Sequence, residues 1–373
     1  MNPRIIDATE ALQKLSSFSA VIDVRSPSEF ALDHMPEAQS WPVLDDAERA
    51  EVGTLYTQVD PFVANKRGAA LIARNIANHI EAHAQTLPKS WAPLIYCWRG
   101  GNRSGAMAHI LARIGFSVVL VQGGYRALRR ALRADLDRLP GQLQFRVICG
   151  RTGCGKSRLL QALQAAGAQV LDLEALARHR GSVLGLEPGD TQPSQKLFES
   201  NVWAALSRFD PQRPVFVEAE SKKIGLLHVP EALMARMRQG CCIHLELDTT
   251  LRVELLLADY AMLSADRPLL RERLASLRAL RGAETVSRWM DQIAQGDLAA
   301  FTADILQHHY DPSYLRSMTH NFQHFSAAPL VTLQGIDALA FRRAAEQVLA
   351  WTPDAACVTP PTDPQAQAET VSG

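Results

Sequence analysis

Two short segments carry the residues best suited to chemistry. The first, Cys97-Trp98-Arg99-Gly100-Gly101-Asn102-Arg103-Ser104, sets one cysteine beside two arginines and a Gly-Gly pair. The second, Gly150-Arg151-Thr152-Gly153-Cys154-Gly155-Lys156-Ser157, fills the phosphate-loop pattern Gly-x-x-x-x-Gly-Lys-Ser. A thiolate that accepts sulfur or selenium needs a low pKa and room for an attached anionic atom. A strand-to-helix turn supplies both, because backbone N–H groups converge on its centre and the helix N-terminus adds positive potential. Arg99 and Arg103 bring full charges beside Cys97, which a merely structural core cysteine would not need, and Gly100-Gly101 permits the tight curve. In the second loop the glycines let amides wrap phosphate oxygens, Lys156 brings a point charge, and Ser157 can hold Mg²⁺. One chain thus joins chalcogen chemistry to a phosphorylated ligand.

The elements that must position these loops show in the apolar runs. Residues 20–24 and 93–96 read as buried strands, the second delivering Cys97 at its carboxyl end, and residues 105–114 read as a helix. Residues 118–121 form another strand that ends at Gly123-Gly124. An Arg-rich amphipathic segment follows, with Arg126, Arg129, Arg130, Arg133 and Arg138, and Pro140-Gly141 punctuates the chain. Residues 143–149 read as the strand feeding the phosphate loop, 157–166 as the helix after it, and 169–172, 215–218 and 242–247 as further strands. Beyond residue 251 the pattern is mostly helical, and from 359 a Pro-, Thr-, Gln- and Ala-rich tail reads as disordered. Strands alternating with helices predict a parallel α/β sheet whose sites lie at the carboxyl ends of strands.

Polar groups at strand ends are candidates to support the phosphate loop: Asp172, Glu174, His179, Arg180, Glu218 and Glu220. Asp172, Glu218 or Asp248 could serve as a second metal-holding acid. No Asn-Lys-x-Asp motif follows, which argues against a GTPase. With 373 residues, 47% of them hydrophobic, the chain can bury two cores, and its formal net charge of zero gives no global attraction to nucleic acid or membrane. The six cysteines form no Cys-x-x-Cys pair, so reduced core thiols are expected rather than a zinc site. Met1-Asn2-Pro3-Arg4 enters a strand-like segment without a charged-then-apolar leader, and no apolar run nears the roughly 20 residues of a membrane span. A cytoplasmic protein without membrane contact is expected.

Residues 5–130 resemble the rhodanese family, on Val21-Ile22-Asp23-Val24-Arg25-Ser26-Pro27, Glu29-Phe30, His34-Met35-Pro36-Glu37-Ala38, the cysteine loop and Val121-Gln122-Gly123-Gly124-Tyr125. The common rhodanese loop runs Cys-x-x-Gly-x-Arg-Ser. Here one extra residue separates Cys97 from Arg103, which widens the cradle toward a tetrahedral, phosphate-like group. His34 reads as a structural hydrogen-bonding residue. With Leu171-Asp172-Leu173-Glu174, His179-Arg180-Gly181-Ser182 and Val217-Glu218-Ala219-Glu220, nearly the whole chain to about residue 350 resembles the bacterial tRNA 2-selenouridine synthase family.

That resemblance implies a rhodanese-like domain over 1–138 and a P-loop domain with a helical C-terminal region over 143–350, ahead of the tail at 359–373. It implies a transferase acting on the wobble 2-thiouridine of tRNA. The thio group is alkylated by geranyl diphosphate, and selenophosphate then replaces the S-geranyl group with selenium. No permanent cofactor is implied; selenophosphate and geranyl diphosphate are co-substrates, and transient contact with a selenophosphate-producing enzyme is a further implication. Cys97 would handle the selenium, covalently or by orienting selenophosphate, within the loop Trp98, Arg99, Gly100, Gly101, Asn102 and Arg103. The diphosphate would lie on Gly150 through Ser157. Candidates for tRNA contact are the arginines after residue 125 and Arg267, Arg271, Arg273, Arg278 and Arg281. The alternative is an ATP-dependent tRNA sulfurtransferase that uses a Cys97 persulfide.

Overall fold

The computed structural model describes residues 2–182, 184–185, 189–261, 266–354 and 357. The tail expected at 359–373 lies outside the described residues. The chain divides into two compact units, Met1–Asp135 with Glu199–Ala204, and Leu136–Phe198 with Ala205–Gly373. Each is α/β and built on its own five-stranded parallel sheet.

In the first unit the strands run Arg4–Ile6, Val119–Val121, Pro93–Tyr96, Ala20–Asp23 and Ala38–Ser40 across the sheet. Every neighbouring pair is parallel. Pro93–Tyr96 is buried along its whole length, as a central strand covered on both faces must be. Its register sets Asp23 opposite Tyr96, so Asp23 and Cys97 emerge at the same edge. Ile22, Ile95, Met107, Leu111 and Phe116 form the core between sheet and helices. The helix expected at 105–114 starts earlier, at Asn102–Ile114, and takes the end of the cysteine loop as its first turn.

The second sheet runs Leu330–Thr332, Cys241–Glu246, Phe145–Cys149, Val215–Glu218 and Gln169–Leu171, again all parallel. Central Phe145–Cys149 feeds the phosphate loop, and helix Lys156–Ala165 follows. Ile148 pairs with Glu218, which brings that carboxylate to the mouth of the loop. The last helix, Ala338–Ala350, packs Phe341, Ala344 and Ala345 into the same core as Leu159, Leu160 and Leu163. A separate cluster around Trp289, Leu274 and Phe301 holds the helical region after residue 266 together. Among the described residues no helix is long and apolar enough to cross a membrane.

One expectation about cysteine fails. Cys241 and Cys357 are paired across 116 residues with Cα atoms 5.3 Å apart, inside the span a disulfide needs. Cys97, Cys149, Cys154 and Cys242 are free and buried.

Candidate functional site

The first candidate site is the cysteine loop. Cys97 is 3% exposed, and the Ser104 hydroxyl donates to its Sγ at 3.1 Å from the first turn of helix Asn102–Ile114. Burial alone would raise the thiol pKa. The Ser104 hydroxyl, the backbone N–H groups of Ser104 and Gly101, and the charge of Arg103 outweigh it and hold the thiol below its ordinary value. Close backbone approach shapes the loop: Gly100 has φ +70°, and a Cβ there would lie 2.7 Å from the Val121 carbonyl oxygen. Gly124, at φ +58°, would put one 2.3 Å from the Cys97 carbonyl oxygen. The turn that follows is tied to the loop by Tyr125 N–H to Cys97 O (2.8 Å) and Arg126 N–H to Trp98 O (3.2 Å).

The two arginines of the loop differ. Arg103 donates to the Glu29 carboxylate at 2.8 Å, and Arg49 approaches the same oxygen at 3.1 Å. Arg103 therefore acts on Cys97 at a distance rather than as a free partner for a bound anion. Arg99 is exposed and has no hydrogen bond or ion pair among the described residues. Asn102 opens the helix, and Trp98 stacks on Tyr125 with centroids 5.3 Å apart. Beneath them Arg25, 1% exposed, pairs with Asp23 (Nη2 to Oδ2, 2.6 Å) and lies 3.9 Å from the Tyr125 ring centroid. Its guanidinium also donates to the Asp33 carbonyl at 2.6 Å. His34 bonds the Phe30 carbonyl through Nδ1 at 2.9 Å, a structural role.

The second candidate site is the phosphate loop, which opens into a cavity of about 1470 Å³. Gly153 and Gly155 have φ +80° and +82°, which few other residues would adopt. Lys156 donates to the Gly150 carbonyl at 2.9 Å and so folds back over its own loop. Burial would lower the Lys156 ammonium pKa, but Cys154 and the Glu174, Glu220 and Glu218 carboxyl groups hold it above its usual value. Ser157 donates to Glu174 at 2.9 Å and to Glu218 at 3.4 Å. Cys154 is packed under the loop: a Cβ on Gly150 would come within 2.4 Å of its Sγ. Burial pushes that thiol up. Arg151 is partly exposed, 3.7 Å from Asp311.

Glu174, Glu218 and Glu220 converge, with one oxygen from each within 4.8 Å of the others. Burial first, then their mutual repulsion, raises Glu218 well above the carboxylate range and Glu220 to about 8, against the pull of Lys156. Hard oxygens grouped with the Ser157 hydroxyl fit Mg²⁺. Of the three acids weighed from sequence, Glu218 belongs to this group. Asp172 caps helix Leu173–Ala177, accepting from Ala175 N–H at 2.8 Å, and lines the cavity. Asp248 is an exposed cap of helix Thr249–Asp259 and does not line it. His179 and Arg180 line the cavity as well; His179 Nδ1 is buried without a partner among the described residues, and Arg180 lies 5.0 Å from the Tyr260 ring centroid.

Sequence reasoning missed two features. Arg252, 1% exposed, donates from Nε and Nη2 to the Thr152 carbonyl (3.0 and 2.8 Å) and is itself held by Asp311. It fixes the phosphate loop from 100 residues away. Apolar and aromatic side chains also line the cavity, Leu256, Tyr310, Tyr314, Met318, Ile336 and Phe341, with Leu256 packed beside Gly153 and Phe341 beside Gly155 of the loop itself. Only the helical spacing of these residues was visible, and that looks like ordinary core.

Comparisons with known proteins match both halves of the chain. Residues 7–131 match the rhodanese-like domain model, and residues 143–293 match the model described as tRNA 2-selenouridine synthase AAA domain. A tRNA 2-selenouridine synthase of Marinobacter nauticus is 37% identical over 64% of this chain and 65% of its own length. One from Alcanivorax borkumensis is 35% identical over 69% and 70%. The matched segment thus spans about two thirds of these two relatives. A third, from Shewanella denitrificans, is 31% identical over 84% of this chain and 92% of its own.

Proposed function

The chain belongs to the tRNA 2-selenouridine synthase family, and from that premise we propose that it modifies the wobble uridine of tRNA in the cytoplasm. Its substrate would be tRNA carrying 2-thiouridine, converted to 2-selenouridine through an S-geranyl intermediate. The observation that carries this reading is the cavity at the phosphate loop. Its lining combines the loop amides, Lys156 and a hydroxyl with aromatic and aliphatic side chains, of which Leu256 and Phe341 pack directly beside Gly153 and Gly155. A diphosphate joined to a hydrocarbon suits that combination better than a nucleotide does.

In the first step the uridine sulfur attacks the first geranyl carbon. A C–S bond forms, the C–O bond to diphosphate breaks, and N3 of the base gives up its proton. The amides around Gly153 and Gly155 and the Lys156 ammonium stabilise the departing pyrophosphate. Mg²⁺, held by Ser157 with Glu174, Glu218 and Glu220, would offset the charge of the diphosphate. In the second step selenium from selenophosphate adds at C2, geranyl thiol leaves, and water takes the phosphoryl group to give phosphate. Cys97 and the N–H groups around it serve this step. Arg99 is the loop charge available to selenophosphate, since Arg103 is held by Glu29.

The test is mass spectrometry of nucleosides from 2-thiouridine tRNA incubated without ATP. Geranyl diphosphate alone should give the S-geranyl nucleoside, and adding selenophosphate should give the selenium nucleoside. No product under any of these conditions, with sulfur transfer appearing only when ATP is supplied, would overturn the reading in favour of a Cys97 persulfide sulfurtransferase.

A further inference from the structure

Helix Gly124–Arg138 begins at the cysteine loop, to which Tyr125 and Arg126 tie it by their backbone N–H groups. Its apolar face, Leu128, Leu132 and Leu136, is buried in the protein. Its arginines divide into two sets. Arg129 is mostly buried and engaged, 3.7 Å from Asp33 and bonded to Glu199, and Arg138 also has a partner. Arg126, Arg130 and Arg133 are exposed, and their side chains have no ion pair or hydrogen bond among the described residues. Their spacing of four and three residues puts them on one face. Arg99, exposed and unpartnered among the described residues, stands next to Trp98, whose carbonyl receives the Arg126 N–H.

We infer that Arg99, Arg126, Arg130 and Arg133 form a row that grips the phosphate backbone of the RNA substrate, starting at the Cys97 loop and running out along the helix. The inference rests on the reading above that the substrate is tRNA. From Arg126 to Arg133 the helix advances about 10 Å, enough for on the order of three phosphates of one strand at duplex spacing. Four guanidinium groups left without carboxylates in a chain of zero net charge are a local excess with no internal use. An anionic membrane fits less well, because the apolar side of this helix is spent on the protein core and its exposed side has nothing to insert. A base at the Cys97 loop and its neighbouring phosphates on this row would be held by one rigid piece.

The experiment titrates a tRNA transcript against the full chain by fluorescence anisotropy at several salt concentrations. Arg126→Ala/Arg130→Ala/Arg133→Ala should weaken binding at low salt about 10-fold or more. The slope of log K against log salt should become shallower by about 2 to 3, at roughly 0.7–0.9 for each phosphate no longer neutralised. Arg130→Gln alone should flatten it by about 1, which covers the case of a triple variant that fails to fold. Lys66→Ala/Arg74→Ala, which removes exposed cations from another helix of the same unit, should leave the slope unchanged. Equal losses in that control would mean bulk charge and overturn the row. An unchanged slope in the triple variant, with wild type binding tRNA, overturns the row and leaves the proposed function standing. Wild type that binds no tRNA overturns the proposed function itself. Loss of binding to phosphatidylglycerol vesicles instead of tRNA would assign the row to a membrane and overturn it.

Discussion

Cys97 and Cys154 occupy loops of the same kind. Each loop follows a central parallel strand and leads into a helix, and both thiols are almost fully buried. Their acidities nevertheless move in opposite directions. Around Cys97 a hydroxyl and two backbone N–H groups point at the sulfur and overcome burial. Around Cys154 burial prevails over Lys156 and Arg252, and the sulfur packs against Gly150 as a small apolar side chain. Depth does not make a cysteine inert. What decides is whether the donors at the sulfur outweigh burial: Cys154 has two backbone N–H groups but, among the described residues, nothing like the Ser104 hydroxyl that donates to Cys97.

Exchanging the two thiols should give the largest contrast. Cys97→Ala should cut selenium incorporation by on the order of 10³-fold, while Cys154→Ala should stay within a few-fold; nucleoside mass spectrometry reads both. Equal losses would break the comparison. Lys156→Ala should slow geranyl transfer by about 10²- to 10³-fold yet leave selenation of tRNA already S-geranylated unchanged, as single-turnover assays of each step would show. Gly124→Ala, whose Cβ would meet the Cys97 carbonyl, should destabilise the first unit by about 2–3 kcal/mol in denaturant unfolding. Gly167→Ala, at φ +82° but in open space, should cost only about 1 kcal/mol. The smallest effect concerns pH. A lowered pKa keeps Cys97 as thiolate at pH values where an ordinary thiol is protonated, so its alkylation rate should inflect on the acid side of a model thiol. Ser104→Ala should move that inflection upward.

Much of this was legible in the chain because each loop is contiguous. Eight adjacent residues specify the phosphate loop, and Cys97 with Gly123-Gly124 lies within a short stretch that the sheet must bring together. The parallel α/β class followed from the alternation of apolar runs. Legibility failed where a partner is distant. Glu29 claims Arg103 across 74 residues, Arg252 reaches Thr152 across 100, and Glu174, Glu218 and Glu220 meet only because neighbouring strands end together. Strands Ala38–Ser40 and Leu330–Thr332 escaped because both are largely exposed edge strands without the apolar run that marks the equally short Val119–Val121. Trp98 stacks on Tyr125 because the Gly-Gly turn folds back onto the loop, a contact across 27 residues.

The order in which the two sheets close bears on synthesis. Every strand of the first sheet has been made by residue 121, so that unit has its framework early in translation. The second sheet waits for Leu330–Thr332, and Phe341, which packs beside Gly155, comes later still. While the ribosome makes the intervening segment, strand Cys241–Glu246 has a bare edge and the phosphate loop has no Phe341 beside it. Such an edge invites pairing with another chain. A nascent protein stalled short of residue 330 would therefore be a finished sulfur-side unit tethered to an aggregation-prone half, and this stretch is where a chaperone would be needed most.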